Sequence, residues 1–223
     1  MPEHRTKAFV LKRTNYGETD RIIQVITEDS KRSLIARGVR KEKSKLAGGI
    51  ELFSLIDITV HSGRGELDIL TSARLVEFYS HILEDYDYLE FAYQALKQIS
   101  RCAEQIDSSE LFSLTNQTLA GLNQSVSLPL VQTWFYLNLA HITGTDLNLM
   151  TDTNGMKLVE DALYIYDAEQ EVLKPLVDGP IGSSHIKLLR LLATNSLSIA
   201  SKVQNVDDLI PDCLSIALAT NKC

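Results

Sequence analysis

The densest group of side chains able to do chemistry in this sequence is basic. Residues 31 to 45 (KRSLIARGVRKEKSK) hold seven cations, Lys31, Arg32, Arg37, Arg40, Lys41, Lys43 and Lys45, against one acid, Glu42. A local charge of +6 over this run suits neutralising phosphates, releasing their counterions and tracking a nucleic-acid backbone without reading bases. Many charge runs are only solvated loops, but this one is a basic island in a protein whose net charge is -7, and that contrast favours a nucleic-acid partner. Stacking rings are expected beside such a loop. The candidates are Phe9, Tyr16, Phe53 and Phe78, of which at least two must belong to a core.

Other chemistries are poorly served. The histidines, His4, His61, His81, His141 and His185, form no H-E-x-x-H pair, and Gly63-Arg64-Gly65 is a lone G-x-G with no helix after it. Neither G-x-S-x-G nor G-x-x-x-x-G-K-[ST] occurs. Cys102, Cys213 and Cys223 are scattered, with no C-x-x-C pair, and read as reduced thiols. The segment Asp152-Thr153-Asn154-Gly155 resembles the middle of a calcium loop with Asp161 at the twelfth position, but the first ligand position falls on Met150, which has no side-chain oxygen. It reads as an ordinary turn. No catalytic residue, metal or cofactor is expected.

The elements that must carry these residues divide the chain in two. With 223 residues, 44% of them hydrophobic, the chain has material for a core without disulfides or metal. The N-terminus, MPEHRTKAFVLKR, has no apolar run of signal-peptide length, and no stretch approaches the roughly 18 to 20 apolar residues of a membrane span. A cytoplasmic protein without a membrane partner is expected. Up to residue 79 the period is two, punctuated by turns, and predicts five strands: Thr6 to Arg13, Arg21 to Thr27, Ser33 to Val39, Ile50 to His61 and Glu66 to Tyr79. Ser62-Gly63-Arg64-Gly65 would close a hairpin. Five short antiparallel strands suit a small closed barrel, whose longest connection, Arg40 to Gly49, is the basic loop with a flexible Gly48-Gly49 end.

Beyond about Ile82 the period becomes helical. Leu89, Tyr93, Leu96, Ile99 and Ala103 mark a first apolar stripe, and Ser108-Ser109-Glu110 offers an N-cap before a second. A third helix runs from Pro129 to Ile142 with Trp134, Phe135 and Leu139 buried. Residues 145 to 180 look like a small β insertion, with a strand at ALYIY and a turn at Asp178-Gly179-Pro180. Ser183-Ser184 would cap Ile186 to Ala193, and a last helix would span Asp207 to Asn221 with Pro211 in its first turn. The expectation is an α+β protein with a barrel domain at 1-80 and a mostly helical domain at 81-223. Charge divides the same way: residues 1 to 80 carry 14 Lys/Arg against 11 Asp/Glu, and the remainder 8 against 18.

Three segments resemble the RecO family of bacterial recombination mediators: KAFVLKRTNYGETDRI at 7 to 22, IARGVRKEKSKLAGGIELF at 35 to 53, and GRGELDILTSARLVE at 63 to 77. The second is the most specific, joining Arg37-Gly38, the basic run, Ser44 and Gly48-Gly49 in one order before a strand. Beyond residue 80 the likeness is mostly architectural. The resemblance implies an OB-type barrel followed by a helical domain, and a DNA repair protein that binds single- and double-stranded DNA and anneals complementary strands without covalent chemistry. The implied partners are RecR, single-strand-binding protein and, indirectly, RecA. It places DNA contacts at Arg37, Arg40, Lys41, Lys43 and Lys45. Many family members carry a four-cysteine zinc site opening with C-x-x-C-G in the insertion. Here Thr151-Asp152-Thr153-Asn154-Gly155 keeps the glycine without the thiolates, so no zinc is expected and the insertion should pack around Leu163, Ile165 and Val172. The residues alone leave open an RNA-binding module and a protein-only adaptor that uses the acidic helical part.

Overall fold

The computed structural model describes residues 3–62, 67–104, 106 and 108–221. Five strands, β1 (Glu3–Tyr16), β2 (Asp20–Ile26), β3 (Lys31–Ala36), β4 (Ser54–His61) and β5 (Asp68–Phe78), close into a barrel of order β1-β2-β3-β5-β4. Alternation is strictest in β4. In β4, Ser54, Ile56, Ile58 and Val60 are buried while Leu55, Asp57, Thr59 and His61 are partly exposed. β1 serves two neighbours: Glu3–Phe9 pairs with β4 and Phe9–Tyr16 with β2, and a register shift between Val10 and Lys12 re-aims it between them. β3 closes the barrel on β5 through the parallel pairs Leu34–Asp68 and Ile35–Ile69. Val10, Ile23, Val25, Leu34, Ile56 and Ile58 lie at the centre.

The strands lie where alternation predicts them, with shifted ends. β4 begins at Ser54 rather than Ile50, because Ile50 and Phe53 bury their side chains from irregular backbone, Phe53 at a φ of 56°. The hairpin glycines, Gly63 and Gly65, and the expected strand start at Glu66 lie outside the described residues.

Two helices pack on the barrel and complete a compact unit, Met1–Asn123. Helix α1 (Tyr86–Cys102) is capped by Asp85, whose carboxylate accepts from the Asp87 and Tyr88 amides, and α2 (Ser108–Asn123) brings Phe112 to within 5.0 Å of the Phe9 ring. The buried face of α1 is Phe91, Ala92, Ala95, Leu96 and Ile99. Tyr93, expected in that stripe, lies at its margin, exposed and edge-on to Phe53 at 4.9 Å.

The second unit, Gln124–Cys223, is built on α3 (Leu128–Ile142). Trp134, Phe135 and Leu139 are buried as the sequence predicts, and the Trp134 indole donates to the Asn195 carbonyl at 2.8 Å. Strands β6 (Asn148–Asp152), β7 (Tyr164–Asp167) and β8 (Val172–Pro175) form a sheet of order β6-β8-β7. Helices α4 (Ser183–Thr194), α5 (Leu197–Ala200) and α6 (Ile210–Thr220) follow. Ser183 and Ser184 lie inside the first turn of α4 rather than capping it, since Gly182 stands at the N-cap and its carbonyl accepts from Ile186. The insertion is one register away from expectation. Leu163 and Ile165 are each 41% exposed, and the buried positions are Tyr164, Leu173, Leu149 and Ile181. A strand shifted by one residue exchanges its faces, and alternation alone disfavours burying a tyrosine. The structure resolves the conflict by giving the Tyr164 hydroxyl a donor, the Val159 amide, at 2.9 Å.

The chain is therefore α+β, a five-stranded barrel followed by helices and a small second sheet. Among the described residues no helix is long and apolar enough to cross a membrane.

Candidate nucleic-acid interface

The basic loop is an ordered structure anchored at both ends. Past β3 the chain turns at Gly38, whose φ of 63° suits a residue without a side chain. The Gly38 amide donates to Oδ1 of Asp20 at 2.7 Å, and the Thr19 hydroxyl donates to the same oxygen at 3.0 Å. Two residues on, the Arg40 amide donates to the Thr19 carbonyl at 2.8 Å and its guanidinium to the Gly17 carbonyl at 3.3 Å. The β1–β2 turn thus holds the start of the loop. Successive turns follow, Lys41 amide to Gly38 carbonyl, Ser44 amide to Lys41 carbonyl, and Leu46 amide to the Ser44 hydroxyl. Val39 and Ile50 are buried, and Leu46 and Ala47 pack against the barrel core. The expectation of a flexible Gly48-Gly49 end fails at Gly49, which is buried so tightly on β5 that a methyl there would meet the Ala73 carbonyl oxygen at 2.5 Å.

This scaffold displays Arg37, Arg40, Lys41, Lys43 and Lys45, all exposed. Among the described residues none of the five is in a salt bridge. The charges of Arg37 and Lys41 act on Asp20. Its carboxyl is held below the ordinary carboxylate range by the Gly38 amide above all, then by the Thr19 hydroxyl, against the opposing cost of desolvation, with smaller help from the charges of Arg37 and Lys41. Lys31 and Arg32, grouped with the others by sequence, stand apart on β3. The Lys31 ammonium donates to the Ser100 carbonyl at 2.7 Å and reaches Glu104 at 3.2 Å, tying the barrel to α1. Arg32 donates to the Ser30 hydroxyl at 3.0 Å and faces Asp68 at 3.3 Å. Both are already engaged within the fold.

Of the four candidate rings, Phe9 and Phe53 are core residues at 0% and 2% exposure and are unavailable for stacking. Phe78 is 39% exposed on β5, and Tyr16 is 54% exposed at the end of β1. Only Tyr16 adjoins the loop by a traced chain of contacts, since its cross-strand partner is Asp20 and the next residue, Gly17, receives Arg40.

The structure also brings together a trio that spacing could not show, Cys213, His185 and Asp212. It is not a nucleophile with its base. The Cys213 thiol is buried, its ionisation pushed up to about 12 by desolvation with help from the Asp212 charge, and it points to the His185 carbonyl rather than the ring. The ring's Nδ1 accepts from the Gly182 amide at 3.2 Å. In the turn at 151–155 the Asp152 carboxylate accepts from the Asn154 and Met156 amides at 2.8 and 2.9 Å, and Gly155 takes a φ of 74°. Among the described residues no cluster of three or more His, Cys, Asp or Glu is placed to hold a metal ion.

Residues 1–79 match the family described as Recombination protein O N terminal. Proteins named DNA repair protein RecO are similar to the chain over longer spans. One from Roseiflexus sp. (strain RS-1) is 28% identical over 209 residues, covering 90% of this chain and 74% of the relative. Another, from Dehalococcoides mccartyi (strain CBDB1), is 25% identical over 229 residues, covering 98% and 89%. A third, from Bifidobacterium longum (strain DJO10A), is 34% identical over 119 residues, covering 52% and 48%.

Proposed function

We propose that this chain is a member of the RecO family, a DNA repair and recombination mediator whose barrel, residues 1-80, binds single- and double-stranded DNA through the 37–45 loop. It brings complementary strands together and, with RecR, helps RecA replace single-strand-binding protein on single strands. It acts in the cytoplasm and catalyses no covalent step. Bases pair by their own chemistry once phosphate repulsion is neutralised, so annealing needs a counter-charged surface rather than a nucleophile.

The observation that carries this reading is the display of five exposed cations outside any salt bridge on a loop pinned at Gly38 and Gly49. Fixed cations lose less freedom on meeting a phosphate than cations on a disordered tail. The total charge of -7 does not oppose this, because charges beyond about 8 to 10 Å are screened at physiological ionic strength. Lys31 and Arg32 serve the same surface indirectly, by fixing β3 beneath the loop. Tyr16 is the ring best placed to stack on a base.

The test is a triple substitution, Arg40→Ala, Lys41→Ala and Lys43→Ala, assayed for single-strand affinity across a salt series and for ATP-independent annealing. If about four phosphates are met, log K against log salt should fall with a slope of roughly -3, from about -0.7 per phosphate on single strands. The triple variant should flatten that slope by about 2, bind more weakly, anneal more slowly and stay folded, because exposed charges contribute little to stability. A folded triple variant with wild-type affinity and slope would overturn the assignment. An RNA competitor of equal length that binds as well as DNA would move the reading to RNA.

A further inference from the structure

We propose that Asp20, an acidic residue, is the positioning residue of the basic binding surface: it holds the 37–45 loop in its binding shape by gripping the Gly38 amide. The inference rests on the nucleic-acid reading above and adds a part to it that no charge count would select.

Three observations carry it. Oδ1 of Asp20 accepts both the Gly38 amide, at 2.7 Å, and the Thr19 hydroxyl, at 3.0 Å, so a single oxygen joins the β1–β2 turn to the second residue past β3. Gly38 is in the left-handed region at a φ of 63°, a conformation that a glycine adopts without the strain a side chain would add. The bond from the Arg40 amide to the Thr19 carbonyl then continues the contact, so the turn grips the loop at 38 and again at 40. Amide-to-carboxylate bonds are charge-assisted and stronger than neutral ones, and this one takes up a donor that would otherwise have no partner in the turn. Past Ser44 the loop is held by burial of Leu46, Ala47 and Ile50 instead. Between Gly38 and Ser44, where Arg40, Lys41 and Lys43 sit, the loop is tied to the barrel by Asp20, by the carbonyls of Thr19 and Gly17, and by the buried side chain of Val39.

Electrostatics and positioning predict opposite results. As a mere negative charge near Arg37 and Lys41, Asp20 weakens phosphate binding, so both Asp20→Ala and Asp20→Asn should bind DNA more tightly. As a positioning residue it does the reverse when removed. Asp20→Ala loses the acceptor, the loop becomes mobile, and the cost of ordering it moves to the binding step, lowering single-strand affinity by about tenfold. The salt slope stays at the wild-type value, because the same phosphates are neutralised once the loop is seated. Asp20→Asn keeps an oxygen able to accept from Gly38, so it binds at least as tightly as wild type.

The experiment measures single-stranded DNA affinity at several salt concentrations for the full chain, Asp20→Ala, Asp20→Asn and the triple variant, with amide hydrogen exchange on the free proteins. Weak Asp20→Ala with unchanged slope, wild-type or tighter Asp20→Asn, and faster exchange at Gly38 and Arg40 but not at Leu34 in Asp20→Ala support the proposal. Tighter binding by Asp20→Ala, with the triple variant still impaired, overturns the role of Asp20 and leaves the site standing. Wild-type binding by the triple variant overturns the site and this role with it. Should Asp20→Ala fail to fold, Asp20→Glu decides, because it keeps the charge and moves the accepting oxygen: weaker binding with faster exchange at Gly38 supports the proposal, and affinity at or above wild type overturns it.

Discussion

Gly49 shows how much a single position can hold. It has no unusual backbone angle to justify a glycine; what forbids a side chain is the Ala73 carbonyl group lying where a Cβ would go. Gly49→Ala should therefore force the loop off β5 and cost about 1–3 kcal/mol in chemical denaturation, as overpacking does. Gly48→Ala, with open space around it, should cost much less. At this scale the sequence is legible where the property is local. The five exposed cations could be named from composition, because charge in a loop faces water wherever the loop goes. Lys31 and Arg32 look identical to them in sequence, and only the tertiary partners Ser100, Glu104 and Asp68 distinguish them. Asp20 was invisible as a part of the site for the same reason, since its partner amide lies eighteen positions away and no spacing rule connects a turn acid to a distant glycine.

Among the elements, those with a strong period were the legible ones. Strand β4 alternates cleanly, and α3 announces itself by Pro129 and its run of large apolar residues. The β insertion is where reading failed, because its strands are short and a tyrosine holds an inward position that only the Val159 amide makes tolerable. The corrected register makes a direct prediction. Leu173→Ala, at a fully buried position, should destabilise the chain by about 2–5 kcal/mol, whereas Leu163→Ala, at a half-exposed one, should cost under about 1 kcal/mol. Urea unfolding of the two variants checks it, and equal losses would restore the register first expected. The turn of the insertion is held by the Asp152 carboxylate, which accepts from the Asn154 and Met156 amides. With Thr151 and Asn154 where thiolates would be required, the purified protein should carry no stoichiometric zinc, and a chelator should leave its Tm unchanged, since structural zinc needs about four N or S ligands. Elemental analysis near one zinc per chain would contradict this.

For the molecule as a whole, charge and topology pull in different directions. The first 80 residues are net basic and the rest strongly acidic, yet α1 and α2, with their acids, belong to the same compact unit as the barrel. The two-partner strand β1 has a consequence for the order in which the chain is made. As this part of the chain leaves the ribosome, the second half of β1 can pair at once with β2, and β3 can join them, so the grip of Asp20 on Gly38 can form before β4 is made. The first half of β1 must wait for β4, which is synthesised only after the whole basic loop. Until then Glu3–Phe9 is a strand with an open edge, and its charged residues Glu3, Arg5 and Lys7 are the kind that discourage nascent chains from pairing with one another.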